Sequence, residues 1–435
     1  MRSPWLFVPS LYFQQGLPVI LVQQFSVLLF KKLGFPNDQI LYWTSLLGWP
    51  WVIKMFWGPA VDINGTKRSW TLWMQLGITV CLFALGMIVA SGATSFIWAA
   101  SLAILLVIAF LSATHDIALD GYYIVALPKD AQAFFLGITS MFFRLAMIFC
   151  TGAMVILAGL WERQGVSVSA SWSRAIFVAA ALYAALAIYA SRIMPKSTLD
   201  RPALKSSQAK LGSFGEAFAT FFTQKDAIPI ILFVLFYRFG ESMLSKMSGL
   251  FFLDSKAAGG LGLDSVQAGT VLGSCGVIAL MSGGLLGGIA VSRISLRRCL
   301  LPMALFMHIP NLMYVWAAHR LPGPSVMYFI VGIDQFAYGF GMASYMVYTM
   351  YVCQKSRFQA SHYAIVTALM ALGAMIAGMT SGYVQPHFGY FWSFVTVCAV
   401  TVPGTLLLWW IPLEGIDTDQ EKLLETAPVS EVEAI

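Results

Sequence analysis

Charged residues are scarce in this 435-residue chain: Asp, Glu, Lys and Arg make up 11% of it, whereas 59% of the residues are apolar. Soluble domains carry about 25% charged residues. A water-soluble fold of this composition could not cover its apolar surface with charge, which argues strongly against a soluble enzyme. At about 20 residues per membrane-spanning helix, the length allows about twelve spans.

Sequence motifs for disulfide, metal and nucleotide chemistry are also missing. The six cysteines are scattered, without a C-x-x-C pair or a cluster with histidine, so neither a disulfide framework nor a zinc site is indicated. The P-loop pattern G-x-x-x-x-G-K-[ST] is absent, which argues against transport driven by the chain's own ATP hydrolysis. We predict no cofactor, no metal, no nucleic-acid partner and no obligate protein partner.

Long, continuous apolar runs fill the chain and predict membrane-spanning helices. A polar, basic connection at 195–226 separates them into two sets of six. We therefore predict an all-α membrane protein with twelve transmembrane helices in two six-helix bundles, 1–194 and 227–413, followed by an acidic tail at 414–435. The runs are 5–31, 39–61, 69–91, 96–127, 132–160, 173–194, 227–253, 264–292, 299–318, 325–353, 360–384 and 390–412.

Basic residues predict the orientation. Most of the 26 Lys and Arg residues lie in connections on the same side as the N-terminus. Because cytoplasmic loops carry the excess of Lys and Arg, we predict that both termini are cytoplasmic. Within the connection 195–226, phenylalanines at helical spacing (Phe214, Phe218, Phe221 and Phe222) indicate a short helix on the cytoplasmic membrane surface.

The connections after the second and eighth runs share a signature in which a glycine is followed nine and ten residues later by a basic pair. Ser292 and Ser295 of the second copy replace an acid and a glycine of the first. Any cytoplasmic loop collects glycines and bases, but matched offsets in both sets favour a repeat. We predict that these connections are conformational-gating loops, with Gly58, Asp62, Gly65, Lys67 and Arg68 in the first and Gly288, Arg293, Arg297 and Arg298 in the second.

This signature resembles the G-x-x-x-D-x-x-G-x-[KR]-[KR] loop of the major facilitator superfamily. The first copy keeps every element of it, and the second is degenerate. The resemblance implies two related bundles that alternate in access around a substrate site between them, near the middle of the membrane.

Eight ionisable side chains lie inside the apolar runs, where a charge facing hydrocarbon costs at least about 2.5–3.5 kcal/mol. They must therefore face the interior, and equal numbers of acids and bases suggest pairing. Either such pairs lock the helices together, or at least one acid exchanges a proton when its pairing changes. We name all four acids as proton-coupling candidates. The acids are Asp116, Asp120, Glu241 and Asp334, and the bases are Lys54, Arg144, Arg238 and Lys246.

Uncharged groups extend the candidate substrate cavity. Gln14 and Gln15 on the first run either bind hydroxyl and amide groups of a ligand or bond neighbouring helices. Trp49 and Trp51 are too deep for interface anchoring, so they either stack on a ligand ring or pack in the core. His115, beside Asp116, is either a proton relay or a packed polar residue. The substrate-cavity candidates are Gln14, Gln15, Lys54, Arg144, Arg238, Trp49 and Trp51.

A narrower resemblance, to the AmpG family of muropeptide permeases, rests on motifs spread over the chain. Residues 112–120, S-A-T-H-D-I-A-L-D, precede a Leu-Pro and, on the next run, an Arg-Leu, as in that family. Other matching stretches are Gln15-Gly-Leu-Pro18, Lys54-Met-Phe-Trp-Gly-Pro59 and Tyr237-Arg-Phe-Gly-Glu241.

That resemblance implies a non-enzymatic permease of the inner membrane, whose partners are a small-molecule substrate, protons and the lipid bilayer. AmpG-type permeases import anhydromuropeptides with the proton gradient, and the matching charged residues become the polar cavity. Related siderophore-uptake permeases, the RhtX/FptX group, share the start that matches residues 11–18 and the P-W-x-x-K pattern at 50–54. A siderophore is therefore the alternative substrate.

Overall fold

The computed structural model describes residues 3–92, 94–197, 200–201, 207–354, 356 and 358–413. The predicted acidic tail at 414–435 lies outside this part of the chain. Within the described residues the secondary structure is helical, joined by short connections, and contains no strand. The predicted all-α class is confirmed there.

The helices fall into an N-terminal set, a connecting helix and a C-terminal set. The N-terminal helices are α1 (Val8–Ile20), α2 (Ser26–Lys32), α3 (Asn37–Leu46), α4 (Trp49–Ile53), α5 (Gly58–Ile63), α6 (Lys67–Ala90), α7 (Thr94–Ala126), α8 (Lys129–Met147), α9 (Met154–Arg163) and α10 (Val168–Ile193). After the connecting helix α11 (Ser207–Thr223) come α12 (Ala227–Phe236), α13 (Phe239–Leu253), α14 (Ser265–Gly269), α15 (Val277–Ile294), α16 (Leu296–His308), α17 (Asn311–Arg320), α18 (Pro324–Gln354) and α19 (Gln359–Leu406).

Ten helical stretches among the described residues are long and apolar enough to cross a membrane. The last of them, Ser361–Trp409, covers most of α19, whose backbone leaves the helical conformation at Gly389, with φ of 70°. The second apolar run is not among the ten. Residues 39–61, predicted as one helix, fold as α3, α4 and α5, so that prediction is wrong. Pro50 lies in the first turn of α4, where its missing N–H is tolerated but an upstream helix cannot run through it.

Wide π-helical turns interrupt three of the spans. Two of them, Ile148–Ala153 and Thr270–Gly276, belong to different sets of helices and pack against each other. A Cβ added to Gly273 would lie 2.1 Å from the Cα of Gly152. Only two glycines allow the backbones to approach this closely, so this crossing is a fixed point of contact between the N-terminal and C-terminal helices.

A second region of contact lies at the end of the helices remote from Pro4, which we call the far end. Lys31, at the end of α2, forms an ion pair with Asp254, which follows α13. Asn37 donates hydrogen bonds to Asp254 at 2.8 Å and to Gln385 at 3.1 Å. Tyr390 donates to the same carboxylate at 2.5 Å. One carboxylate therefore joins four chain segments from both sets of helices.

A second far-end link joins α9 to the start of α14. The Arg163 guanidinium lies 2.6 Å from the Asp264 carboxylate, and Ser265 donates to Glu162 at 3.0 Å. Burial opposes ionisation of Asp264, but hydrogen bonds from the Gln267 backbone N–H and from Arg163 lower the pKa of that carboxyl below its usual value. The pair is half exposed, so it orients the segments more than it stabilises them.

The first signature loop is bound to the connection that follows the N-terminal helices. Asp200 accepts the backbone N–H groups of Lys67 at 2.7 Å and Arg68 at 2.9 Å. The Arg68 guanidinium donates to the carbonyls of Ser191 at 2.7 Å and Met194 at 3.1 Å. The start of the connection is thereby anchored to the N-terminal helices.

The predicted helix within the connection is confirmed as α11. Its environment differs from the expected membrane surface, because Phe221 is fully buried among side chains of the C-terminal helices. His362 of α19 lies against the same turn, with its Nε2 3.1 Å from the carbonyl of Ala217. The helix thus rests on protein along this face. The side chain of Phe214 lies outside the described residues.

The repeated signature has a matching backbone conformation. Gly65 and Ser295 occupy the same position in the two loops, and both have positive φ, 130° and 91°. The glycines that open the signature are not close-packed. An added Cβ would meet no atom within 4 Å at Gly288, and only one, at 4.0 Å, at Gly58. The side chain of Asp62 lies outside the described residues.

We expect Ser295→Gly to stabilise the protein. Serine at φ 91° and ψ 147° is in a region that glycine alone adopts readily, at a cost of about 1–3 kcal/mol. The variant should raise the Tm in detergent by a corresponding few degrees. Ser292→Gly, a matched change inside α15, should lower the free energy of unfolding by about 0.5–1 kcal/mol and so lower the Tm. Equal losses in the two variants would contradict the assigned strain.

We expect Asp254→Asn to loosen the far end, because Lys31 then loses its counter-charge. Spin labels at the exposed positions Gln39 and Ala257 report the separation of the two sets of helices by double electron–electron resonance. The variant should lengthen and broaden this distance distribution. Asp38→Asn, an exposed acid at the same end, is the control. An unchanged distribution in Asp254→Asn would show that the ion pair does not hold this end.

Candidate substrate cavity

A cavity of about 1040 Å³ lies between the N-terminal and C-terminal helices. Its size suits a ligand larger than a monosaccharide. Four of the seven substrate-cavity candidates line it: Lys54, Trp51, Arg144 and Arg238. The charged residues on its wall are Lys54, Arg144, Arg238, Lys246, Glu241 and Asp334.

Three basic side chains on the wall have no ion pair with any described acid. Arg238 donates to the hydroxyl of Tyr338, with its guanidinium carbon 5.5 Å from that ring's centre. Lys246 donates to the backbone carbonyl of Gln23 at 2.9 Å and to its side-chain oxygen at 3.3 Å. No hydrogen bond of Arg144 is present among the described residues. The expected pairing of all eight charges is therefore wrong for these three bases.

Two buried acids on the wall are held by neutral donors. Glu241 accepts from the amide of Asn311 at 2.8 Å. Asp334 accepts from Gln335 at 2.9 Å and from the Tyr314 hydroxyl at 3.4 Å. Its other oxygen has no partner among the described residues. An ionised carboxylate without a counter-charge is costly at such depth. The hydrogen-bond donors of these two acids are neutral, so they do not supply that counter-charge.

Among the eight interior ionisable side chains, Lys54 and Asp116 form the one ion pair found in the described residues. Gln15 supports it by donating to the other oxygen of Asp116 at 2.6 Å. Asp120 is not part of this ion pair. Its exposed carboxylate accepts a hydrogen bond from the Tyr12 hydroxyl at 3.0 Å. The i, i+4 acids on α7 thus have different environments.

A chain of amides continues from this pair into the core of the N-terminal helices. The carbonyl oxygen of Gln15 faces Nδ1 of His115. The amide nitrogen of Gln75 lies 3.3 Å from Nε2 of His115 and 3.2 Å from the carbonyl oxygen of Gln14. A ring that donates from Nδ1 and accepts at Nε2 is the neutral tautomer. This geometry favours His115 as a packed polar residue that orients Gln15.

The remaining candidates lie in three different places. Trp49, unlike the half-buried Trp51, is not on the cavity wall and is 45% exposed. Gln14 and Gln15 are buried behind the wall. The bases of the second signature, Arg293, Arg297 and Arg298, are exposed.

Sequence reasoning missed several residues of the site. His308, Asn311 and Tyr314 lie beside the two buried acids, and nothing in their spacing marked them. Lys246, already named among the interior bases, and Gln23 also line the cavity; both are polar residues inside apolar runs. Lys31 could have been singled out in the sequence, because it is a basic residue on the side of the membrane that carries few Lys and Arg residues.

Comparisons with known proteins agree with this architecture. The family model of the Major Facilitator Superfamily matches residues 11–361. The anhydromuropeptide permease of Escherichia coli (strain K12) is 28% identical over 374 residues, covering 84% of this chain and 71% of the relative. A putative transporter named AmpG 4 from Rickettsia conorii is 20% identical over 406 residues, covering 91% and 93%.

Solved structures share the fold. The nucleoside transporter NupG matches with a TM-score of 0.69 at 15% identity, covering 93% of this chain and 98% of the other. A D-xylose–proton symporter matches with a TM-score of 0.70 at 12% identity, covering 93% and 97%.

The resemblances predicted from the sequence motifs are therefore confirmed. The chain is a multi-pass membrane permease that handles a small molecule, and it is not an enzyme. It belongs to the Major Facilitator Superfamily.

Proposed function

We propose that the protein is a proton-coupled permease that imports anhydromuropeptides or related amino-sugar fragments of the cell wall across the inner membrane. The name of the Escherichia coli relative supports this substrate class. The observation that carries the proposal is the set of three bases, none of them in an ion pair with a described acid, on the wall of a cavity of about 1040 Å³. Muropeptides bear carboxylates, which such bases bind.

The proposed topology has twelve crossings in two six-helix bundles. The ten apolar helical stretches become twelve when α3–α5 counts as a broken crossing and α19 is divided at Gly389. The bundles are 1–194 and 227–413, joined by the linker 195–226 and followed by the tail 414–435. Both termini lie in the cytoplasm, which places the far-end links on the opposite side of the membrane.

Two kinds of side chain would recognise the substrate: basic residues would bind its charged groups, and an aromatic residue would contact its sugar ring. Among the described residues, Arg144 has no hydrogen-bond or ion-pair partner that a substrate must displace, and Arg238 and Lys246 are held there by neutral groups. Carboxylates of the ligand would bind these bases. Trp51 offers a ring on which a sugar can stack, and Gln23 offers an amide for sugar hydroxyls. The same bases would also bind an anionic iron chelate.

Proton coupling would involve at least one of the four interior acids. Asp116 is paired with Lys54, while Asp120, Glu241 and Asp334 form no ion pair with a described Lys or Arg. A carboxylate without a fixed counter-charge gains or loses its proton when the charge around it changes. In an importer, the proton enters with the substrate and leaves on the cytoplasmic side.

We expect proteoliposomes with an imposed pH gradient, acidic outside, to accumulate labelled GlcNAc–anhydroMurNAc. Arg144→Gln should raise the KM about 10- to 100-fold, the range expected for one lost hydrogen bond to a charged group, without changing the Tm. Arg320→Gln, an exposed base at the end of α17, is the control.

Two results would contradict this proposal. One is wild-type uptake of a ferric siderophore without uptake of the disaccharide, which would favour the alternative substrate. The other is an unchanged KM in Arg144→Gln, which would mean that the cavity bases do not contact the ligand.

A further inference from the structure

Two acids of the C-terminal helices form a buried pair beside the cavity. Glu241 lies in the first turn of α13 and Asp334 in α18, with their side chains almost fully buried. Their hydrogen-bond donors, Asn311 and Tyr314, lie three residues apart on α17, and both acids line the same cavity, so the two carboxylates are neighbours. No Lys or Arg nitrogen lies within ion-pair distance of either one in the described part of the chain. We call Glu241 and Asp334 the carboxyl pair.

The groups around the carboxyl pair are mostly neutral. Nδ1 of His308 lies 3.6 Å from Glu241, longer than a hydrogen bond, and neither ring nitrogen has a hydrogen-bond partner among the described residues. Arg238 is the fixed positive charge that interacts with Glu241 through space. The titratable or charged neighbours from the packed helices are Tyr237 and Arg238, His308 on α16, Tyr314 on α17 and Cys398 on α19.

Charge balance limits how many of these acids are ionised. Two carboxylates in one desolvated site cannot both be ionised without compensation. Arg238 precedes Glu241 by three residues at the start of α13, and both line the cavity, so its positive charge is placed to compensate Glu241. Charge balance with Arg238 alone therefore allows only one ionised carboxylate, and Asp334, with one oxygen that has no partner among the described residues, is the carboxyl left without compensation. The empty carrier thus has one proton on the pair.

Arg238 also faces the cavity, so a bound anion would change this balance. An anionic group of the substrate at Arg238 takes up the positive charge that had compensated Glu241. The second carboxylate then loses its counter-charge and becomes neutral by binding a proton from the water of the cavity.

We propose that the Glu241–Asp334 pair binds one proton in the empty carrier and a second proton when an anionic substrate occupies Arg238. One substrate and one proton therefore enter together. When the substrate leaves, Arg238 again compensates the pair and the second proton returns to water. This inference rests on the proposed function, and it assigns the coupling to the C-terminal acids.

The acids of the N-terminal helices are less suited to this exchange. Asp116 keeps a counter-charge from Lys54 and a hydrogen bond from Gln15, and both are independent of the cavity anion. Asp120 accepts a hydrogen bond from Tyr12, and its charged neighbours are Asp116 and Lys54. Neither carboxylate depends on Arg238 for compensation.

The test measures proton uptake when the purified protein binds GlcNAc–anhydroMurNAc in weakly buffered solution with a pH indicator. The wild type should take up about one proton per bound disaccharide. The methyl ester of the same disaccharide, which lacks the anion, should cause no uptake. By linkage, the affinity for the free acid should rise about tenfold per unit fall in pH while the second proton binds.

The decisive variant is Glu241→Gln/Asp334→Asn, which fixes the pair in its neutral form. It should bind the disaccharide and exchange it across liposomes, but without proton uptake, pH-dependent affinity or accumulation in a pH gradient. Asp38→Asn, an exposed acid at the far end, should behave as the wild type. Full proton uptake in the double variant, or loss of uptake in Asp120→Asn alone, would overturn the assignment.

A second measurement needs no variant. Infrared difference spectra of the wild-type protein should show that substrate binding adds a protonated carboxyl band, and that the methyl ester adds none. Binding of the disaccharide without this band and without proton uptake would overturn the carboxyl pair while leaving the permease proposal intact. A wild-type protein that does not bind the disaccharide would overturn the proposed function itself.

Discussion

The cost of placing an ionised side chain in hydrocarbon is the constraint on which this structure depends. It requires the interior charges to lie within the helical assembly, and six of the eight lie on one cavity wall. The protein meets the cost in different ways. Lys54 and Asp116 neutralise each other, whereas Arg238 and Lys246 are held by neutral groups. The result is a cavity whose positive charges are available to a ligand.

The two sets of helices differ in how completely their polar groups are satisfied. In the N-terminal helices, amides and His115 extend the Lys54–Asp116 pair into a continuous chain of hydrogen bonds. In the C-terminal helices, Glu241 and Asp334 have neutral donors and an orphaned oxygen. A continuous chain of hydrogen bonds resists rearrangement, although Oε1 of Gln75 has no partner among the described residues. The N-terminal set therefore suits a scaffold, and the C-terminal acids suit a site that changes its protonation.

Besides the broad packing of α3 against α19, the two sets of helices meet at a few specific contacts. At the far end, Asp254 joins segments from both sets, and the Arg163–Asp264 pair forms a second link. The crossing of Gly152 and Gly273 brings two backbones together without intervening side chains. Opening the far end requires the mostly buried Lys31–Asp254 pair to separate, while the glycine crossing keeps the two sets of helices in contact. Such an arrangement is compatible with alternating access to the cavity.

The sequence by itself determined the membrane class, the apolar spans, the repeated signature and the presence of charges in the interior, because composition and spacing act locally. It also identified the family through motifs such as Gln15–Pro18 and Tyr237–Glu241. Only the tertiary structure decided which charges meet. Equal numbers of acids and bases do not specify neighbours, so the unpaired state of Arg144 and the link of Lys31 to Asp254 could not be deduced. Those contacts join helices far apart in the chain, and packing alone brings them together.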